Sequence, residues 1–156
     1  MNPKETAPAG RLEPIHVAAT VAAGPGRRMV GRAGDHEIVM DVSQRHGGEG
    51  AGPTPPECLA MALGGCMVNI CRIIAMQKGI ALGELRVSIA GDIDPSRAMG
   101  IAADERAGFL GLSVEVETPP SVSESEKEAF RLELIERCPL CDTIGCPTPL
   151  RIVFVN

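Results

Sequence analysis

Six cysteines are the side chains of this 156-residue sequence with the most evident capacity for chemistry. The first fourteen residues are polar and contain no apolar segment of the kind that directs export, so we expect a cytoplasmic protein. In that reducing compartment, cysteines act as redox-active thiols, metal ligands or small core residues rather than as a disulfide framework. The residues around each cysteine must distinguish these roles.

Cys66 follows two glycines, Gly64 and Gly65, in the middle of a long apolar stretch that is predicted to be a helix. A glycine inside a helix costs about 1 kcal/mol relative to alanine, so this pair needs a reason. Either another helix packs closely against the glycines, or a substrate reaches the backbone beside the thiol. Burial as a small core residue is the alternative for Cys66, and it is the commoner fate of a single buried cysteine.

Cys138 lies where a predicted helix ends, and Pro139 suits the first position of the next helical turn. The free N–H groups and the dipole at a helix N-terminus stabilise a thiolate, so the pKa of Cys138 should fall. One buried thiol and one thiol at a junction are typical of a pair that attacks a peroxide and then resolves the sulfenic acid. Simple packing at a corner of the fold is the competing interpretation.

The segment that follows Cys138 carries two further cysteines, Cys141 and Cys146. Cys138-x-x-Cys141 could be an alternative redox pair or half of a metal site. A zinc site needs four ligands and no second paired motif is present, so no metal is predicted, although Cys138, Cys141 and Cys146 form the cluster to consider. Cys146-Pro-Thr-Pro resembles a motif of small sulfur-carrier proteins, but there the motif opens a helix and here a strand is predicted to follow.

The elements that position these cysteines are predicted to form one α+β domain over residues 15–156, after a flexible arm at 1–14. Two segments have helical end signals, from Pro55 or Pro56 to Gly79 and from Ser123 to about Arg137. The first helix is apolar on nearly all sides, so it should be buried centrally or at a subunit interface rather than span a membrane. Alternating apolar and polar residues predict antiparallel strands at 14–22, 27–33, 36–42, 83–93, 109–117 and 150–155.

Composition excludes a nucleic-acid partner. The formal net charge is -5, and three Phe are the only aromatic residues, so neither phosphate contacts nor stacking on bases are favoured.

Two cysteine motifs stand in a characteristic order: GPTPPECLAMALGGC, and later a Cys-Pro before the last apolar segment. In these residues, and from about Asp41 to Val155, the sequence resembles the OsmC/Ohr family of thiol-dependent peroxidases. The resemblance implies that Cys66 attacks the peroxide O–O bond, forms a sulfenic acid and then a disulfide with Cys138. It also implies organic hydroperoxide substrates, with hydrogen peroxide as a second candidate. A small dithiol or a lipoylated protein would be the reductant, without a cofactor, in an intertwined homodimer with active sites at its interface.

The resemblance further implies a functional Glu57 and an arginine in the early hairpin. Glu57 lies nine residues before Cys66. It is therefore about 13 Å away along a helix axis and can act only across a two-fold axis, from a second chain. A first-turn acid that complements the helix dipole is the alternative. A positive charge near Cys66 would favour its thiolate, and Arg28 is our candidate, with Arg27 and Arg32 as the alternatives.

A second function class stays open beside the peroxidase. A non-catalytic or sulfur-handling member of the family would bind a small ligand or a metal, or carry a persulfide, through the cluster of Cys138, Cys141 and Cys146.

Overall fold

The computed structural model describes residue 10 and residues 12–119 and 122–155. The chain divides into two compact units, one up to Leu59 and one from Ala60 onward. Antiparallel strands and helices follow one another in the predicted α+β order. Most of the predicted flexible arm, residues 1–14, lies outside the described residues.

The N-terminal unit is built on a three-stranded antiparallel sheet. Its strands are β1 (Thr20–Ala23), β2 (Met29–Ala33) and β3 (His36–Met40), hydrogen-bonded in the order β1-β2-β3. Ala33 pairs with His36, so Gly34 and Asp35 form a two-residue turn in which Gly34 has the positive φ of 57° that favours glycine. The predicted meander is confirmed, with strands shorter than the alternating segments.

A buried carboxylate organises the Gly-rich loop that follows β3. Asp41 is 0% exposed, and its carboxylate accepts hydrogen bonds from the N–H groups of Val42 at 2.8 Å, Glu49 at 3.0 Å and Ala51 at 3.1 Å. The Ala51 bond opposes the effect of burial and, with the other two bonds and the charge of Arg28, holds the pKa of Asp41 below its ordinary value. Asp41 is therefore ionised, and every bond it makes fixes loop backbone.

Replacing Asp41 by asparagine should lower the midpoint of thermal unfolding by several degrees, because an amide group cannot accept three N–H groups as a carboxylate does. The unfolded-state pKa of an aspartate is about 4, and the folded-state value lies below it. The advantage of the native protein over the variant is therefore present above about pH 4 and is lost as the pH falls through the folded-state pKa. Thermal unfolding followed by circular dichroism at several pH values measures both effects.

The matched control is Asp35→Asn, in the exposed turn between β2 and β3, which should leave stability unchanged at every pH. Equal stability of the Asp41 and Asp35 variants near neutral pH would contradict the structural role of the buried carboxylate.

Helix α1 (Pro55–Lys78) has defined signals at both ends. At its start, the N–H and hydroxyl of Thr54 donate to the Glu57 carboxylate at 2.6 and 2.8 Å, and the Glu57 N–H donates back to the Thr54 hydroxyl at 3.4 Å. At its end, Gly79 has a φ of 68°, and the Ile80 N–H donates to the Ala75 carbonyl at 2.9 Å. Both predicted ends are confirmed.

The C-terminal unit packs α1 against a strand pair and two shorter helices. These are β4 (Arg86–Ala90), β5 (Ser113–Glu117), α2 (Glu124–Arg137) and α3 (Pro139–Gly145). The β4–β5 pairing is antiparallel and resumes as one isolated bridge between Ile93 and Phe109. The buried core contains Leu63, Met67, Cys71, Ile74, Ala75, Leu82, Val122, Phe130, Leu134 and Cys138.

Two features of α1 bear on its environment. Helix α1 is long and apolar enough to cross a membrane, but the core helix of a soluble protein can have the same length and composition. Side chains such as Met67 and Ile74 are buried in the core, as expected for a core helix, whereas Leu59, Met61 and Met76 are exposed.

The predicted closing strand at 150–155 is not formed. Residues 151–155 have no regular secondary structure, and their apolar side chains are exposed, with Phe154 at 97%. A strand requires the hydrogen-bonding edge of a neighbour, and no strand in the described part of the chain pairs with this segment. Alternating apolar and polar residues predict which side chains share a face, but they do not show that a neighbouring strand is available for pairing.

Candidate active site

The C-terminal unit brings Cys66 and Cys138 into contact, although 72 positions separate them in the sequence: their Sγ atoms are 3.3 Å apart. Cys66 comes from the middle of α1 and Cys138 from the junction of α2 and α3. Cys138 is 1% exposed, and Cys66 is only partly buried. Cys66 is therefore the more exposed of the two cysteines.

Cys138 occupies a position that belongs to two helices at once. Its N–H donates to the Leu134 carbonyl at 3.0 Å, which closes α2, and its carbonyl accepts from the Asp142 N–H at 3.1 Å, which opens α3. Pro139 occupies the first position of α3, as the sequence predicts. The N–H groups of the next two residues, Leu140 and Cys141, are thus free to face the thiols.

These N–H groups determine which thiol carries the negative charge. Burial raises the pKa of the Cys138 thiol, but hydrogen bonds from the Cys141 N–H, the Cys66 and Cys141 thiols and the Leu140 N–H outweigh burial and lower that pKa below its ordinary value. For Cys66, burial raises the pKa, the Leu140 N–H opposes the rise, and Cys138 adds to it. Of the pair, Cys138 is therefore the thiol that ionises more readily, and Cys66 is the thiol that holds its proton more strongly.

A third and a fourth thiol lie beside this charge. The pKa of Cys141 is raised to about 12, first by burial and then by its hydrogen bond to Cys138 and the charges of Cys138, Cys66 and Cys71. Burial raises the pKa of Cys71 on α1, and the charge of Cys138 raises it further. Among these four thiols, Cys138 is therefore the one that ionises most readily.

The two glycines before Cys66 have different surroundings. A Cβ added to Gly64 would lie 3.5 Å from Cδ1 of Ile89 on β4, so the element packed there is a strand and not the predicted helix. A Cβ added to Gly65 would meet nothing within 4 Å. Together they line an open groove of about 340 Å³, bounded otherwise by Ala60, Met61, Val68, Val87 and Ile89. Gly65 thus leaves the backbone beside Cys66 accessible, and access for a substrate stays a prediction.

The candidate arginines lie in the N-terminal unit and differ in their contacts. Arg28 forms an ion pair with Glu49, its side chain is 37% exposed, and its Nε is buried without a hydrogen-bond partner among the described residues. Arg32 forms an exposed ion pair with Glu37. Arg27 donates to the His46 carbonyl at 2.9 Å. Arg28 is the most enclosed of the three, and its Nε keeps an unused donor.

Glu57, in the same unit, has a structural task. Hydrogen bonds from the N–H and the hydroxyl of Thr54 lower the pKa of the Glu57 carboxyl below its ordinary value. The carboxylate is therefore charged at neutral pH and caps the start of α1.

Among the described residues, no group of three or more His, Cys, Asp or Glu side chains could hold a metal ion. Cys146 is exposed, whereas Cys138 is buried. The alternative of a metal site at Cys138, Cys141 and Cys146 therefore has no support from the geometry.

In each of the two units, some features escape sequence reasoning. The N–H groups of Leu140 and Cys141 have a local signal, because a Cys-Pro pair marks a helix start. Asp41 and Glu49 have no such local signal. In the sequence, Asp41 is only an acidic residue after an alternating segment, and Glu49 is only an acidic residue in a Gly-rich loop.

Comparison with known proteins agrees with the fold and the cysteine motifs. Residues 47–153 match the family model described as OsmC-like protein, and the chain belongs to this family. No curated protein is a significant match.

Solved structures of OsmC-like proteins share the fold at low sequence identity. An OsmC-like protein from Mycoplasma pneumoniae has a TM-score of 0.74 and 20% identity over 84% of this chain and 88% of that chain. An organic hydroperoxide resistance protein OsmC from Legionella pneumophila has a TM-score of 0.64 and 20% identity over 83% and 89%. The organic hydroperoxide resistance protein OhrB of Bacillus subtilis has a TM-score of 0.56 and 16% identity over 82% and 89%.

Replacing Cys66 by alanine should raise the pKa of Cys138, because the variant lacks the thiol that hydrogen-bonds to the Cys138 thiolate. The ultraviolet absorbance of thiolate, followed over a pH titration, should show its first step at higher pH than in the native protein. Cys146→Ala removes an exposed thiol and should leave that step in place. If the first rise in thiolate absorbance of the Cys66 variant occurs at the same pH as in the native protein, or at a lower pH, the described pKa shift of Cys138 is contradicted.

Proposed function

We propose that the protein is a thiol-dependent peroxidase that reduces organic hydroperoxides, with Cys66 as the attacking thiol and Cys138 as the resolving thiol. The observation that carries the proposal is the 3.3 Å contact between their Sγ atoms, since a sulfenic acid formed on one sulfur meets the other without rearrangement of the fold. The names of two of the compared proteins, which refer to organic hydroperoxide resistance, support the substrate class.

The first step requires a proton transfer within the pair. Cys66 is the more exposed thiol and its pKa is raised, whereas Cys138 is buried and its pKa is lowered. The proposed cycle begins from the form in which Cys138 is the thiolate and Cys66 is the thiol. When the proton passes from Cys66 to Cys138, the Cys66 thiolate attacks the terminal peroxide oxygen and the O–O bond breaks. The departing alkoxide takes the proton from Cys138 and leaves as an alcohol, and Cys66 becomes a sulfenic acid. The N–H of Leu140, which faces Cys66, stabilises the attacking thiolate.

The second step forms the disulfide. The Cys138 thiolate attacks Cys66 Sγ, the S–S bond forms, and hydroxide leaves and takes a solvent proton to become water. Two thiol sulfurs are oxidised and one peroxide is reduced to alcohol and water. A small dithiol or a lipoylated protein in the cytoplasm then reduces the disulfide by exchange and restores both thiols.

A homodimer is part of this proposal, because one chain exposes apolar surface in two places. Leu59, Met61 and Met76 are exposed on α1, and residues 151–155 carry exposed apolar side chains on backbone that joins no sheet. A second copy would cover α1 and provide a sheet edge for the C-terminal segment. In that dimer, Glu57 of one chain would position Arg28 beside Cys66 of the other.

Replacing Cys66 by serine should lower the rate of dithiol-dependent consumption of cumene hydroperoxide by at least about a thousandfold, because a serine hydroxyl is not ionised at neutral pH. Cys138→Ser should still react once, and dimedone should trap a sulfenic acid on Cys66. Cys146→Ser is the control and should keep full activity. Full activity of the Cys66 variant would refute the proposed function.

Substitutions at Glu57 separate its charge from its role as a helix cap. Glutamine retains the capping hydrogen bonds, so Glu57→Gln should unfold at nearly the native temperature, whereas Glu57→Ala should unfold earlier. If the charge positions Arg28 in the dimer, both variants should lose activity by about tenfold or more in kcat/KM. Native activity of the stable glutamine variant would restrict Glu57 to capping.

A further inference from the structure

Cys141 is a free thiol that can take part in disulfide exchange, but the proposed peroxidase cycle does not use it. It is the third residue of α3, one helical turn after Cys138 at the N-cap, and it packs against the same buried core as Cys66. The two-thiol cycle needs only Cys66 and Cys138. The sequence Cys138-Pro-Leu-Cys141 therefore places an additional thiol beside the sulfur on which the disulfide forms.

The position of Cys138 allows two alternative disulfides. On one side its Sγ lies 3.3 Å from that of Cys66. On the other side, Cys141 lies one helical turn away, at the third position of the helix that Cys138 caps, and its N–H and thiol help to lower the pKa of Cys138. Two cysteines at the N-cap and the third position of a helix form a Cys-x-x-Cys motif, an arrangement found in disulfide oxidoreductases. Cys138 is thus the shared member of two mutually exclusive pairs.

We propose that the disulfide first formed between Cys66 and Cys138 is passed on to Cys138 and Cys141 by thiol–disulfide exchange. This relay returns Cys66 to its thiol form for another hydroperoxide and leaves the oxidised pair within α3, where the external dithiol reduces it. The proposal rests on the proposed function for the source of the first disulfide.

The exchange needs no further oxidant or reductant. The Cys141 thiolate attacks Cys138 Sγ, a new S–S bond forms, and the bond between Cys138 and Cys66 breaks. Cys66 leaves with the electron pair as a thiolate and takes up the proton that Cys141 has lost. One disulfide and one thiol are present before and after, so the protein is neither oxidised nor reduced in this step.

The charge distribution keeps Cys141 inactive until the first disulfide exists. In the reduced protein its pKa is about 12, because burial is reinforced by the hydrogen bond to Cys138 and by neighbouring thiolate charge. A disulfide between Cys66 and Cys138 carries no charge, so the contributions of Cys138 and Cys66 disappear. Burial still raises the pKa of Cys141, but the thiol ionises more readily than in the reduced protein. The Leu140 N–H that faces Cys66 then stabilises the leaving thiolate.

Trypsin distinguishes the two disulfides. It cleaves after Arg45, Arg72, Arg137 and Arg151. Cys66 therefore falls in peptide 46–72 together with Cys58 and Cys71, so fragmentation must assign the cross-linked cysteine of that peptide. Cys138, Cys141 and Cys146 fall together in peptide 138–151. The first disulfide joins the two peptides, and the second lies within peptide 138–151 and makes it lighter by two hydrogen atoms. Fragmentation of that peptide separates a Cys141 bond from a Cys146 bond.

The experiment treats the reduced full-length protein with one equivalent of cumene hydroperoxide, quenches samples over time, alkylates free thiols and maps the peptides. The cross-linked peptides should appear first and then decay, as the bond within peptide 138–151 grows and Cys66 becomes alkylated. In Cys141→Ser the cross-link should persist at least about tenfold longer, because the attacking thiol is absent. Cys146→Ser is the control and should match the native time course.

Two outcomes would overturn the relay. A cross-link that remains the final product in the native protein, with Cys141 alkylated, would leave the proposed function intact. Formation of the Cys138–Cys141 bond by hydroperoxide in Cys66→Ser would show that this bond does not need the first one.

A parallel arm with diamide, which oxidises dithiols without a peroxide, separates this proposal from the proposed function. If hydroperoxide oxidises no cysteine but the diamide-generated cross-link still passes to peptide 138–151, the relay stands and the peroxidase assignment fails.

Discussion

Helix α2 ends and helix α3 begins at Cys138, and the other features of the site depend on this junction. Had α2 continued through Pro139, the N–H groups of Leu140 and Cys141 would be bonded within the helix and unable to face a sulfur atom. Proline lacks the N–H that continuation requires, so the chain turns at Cys138, and its ψ of 112° is extended rather than helical. This one turn gives a buried thiol the hydrogen-bond donors that stabilise its thiolate.

Cys66 and Cys138 are in contact, but they differ in exposure and in the direction of their pKa shifts. Cys66 is the more exposed of the two and has the raised pKa, whereas Cys138 is buried and has the lowered pKa. Neither thiol alone has both properties, so the two titrate and react as a unit rather than as independent groups. When Cys138 is ionised, its thiolate is not an isolated charge in the core, because N–H and S–H donors surround it. The pKa values of Cys141 and Cys71 are raised first by burial and then by the charge of Cys138.

Features with a local signal could be predicted from the sequence. Gly79 marks the end of α1, Ser123 and Glu126 form the reciprocal cap of α2, and Cys138-Pro139 marks the junction with α3. Each depends on hydrogen bonds between residues a few positions apart, so a short motif is sufficient to specify it.

Features that depend on distant partners could not be predicted in the same way. The burial of Asp41 depends on where the Gly-rich loop folds back, since an added Cβ at Gly52 would lie 2.1 Å from the Val39 carbonyl oxygen. The closing strand failed for a related reason: alternation in 150–155 does not indicate whether a sheet edge is available. For the site, the family resemblance paired Cys66 with Cys138, and only the three-dimensional structure supplied the distance and the charge distribution.

In the proposed function, Cys66 and Cys138 together are a sufficient redox pair. The most direct measurement uses a variant in which alanine or serine replaces the other four cysteines, with circular dichroism to verify that it is folded. Titration of its free thiols after one equivalent of cumene hydroperoxide per chain should show that both are lost, with one equivalent of alcohol formed. A folded variant that keeps both thiols free would contradict the claim.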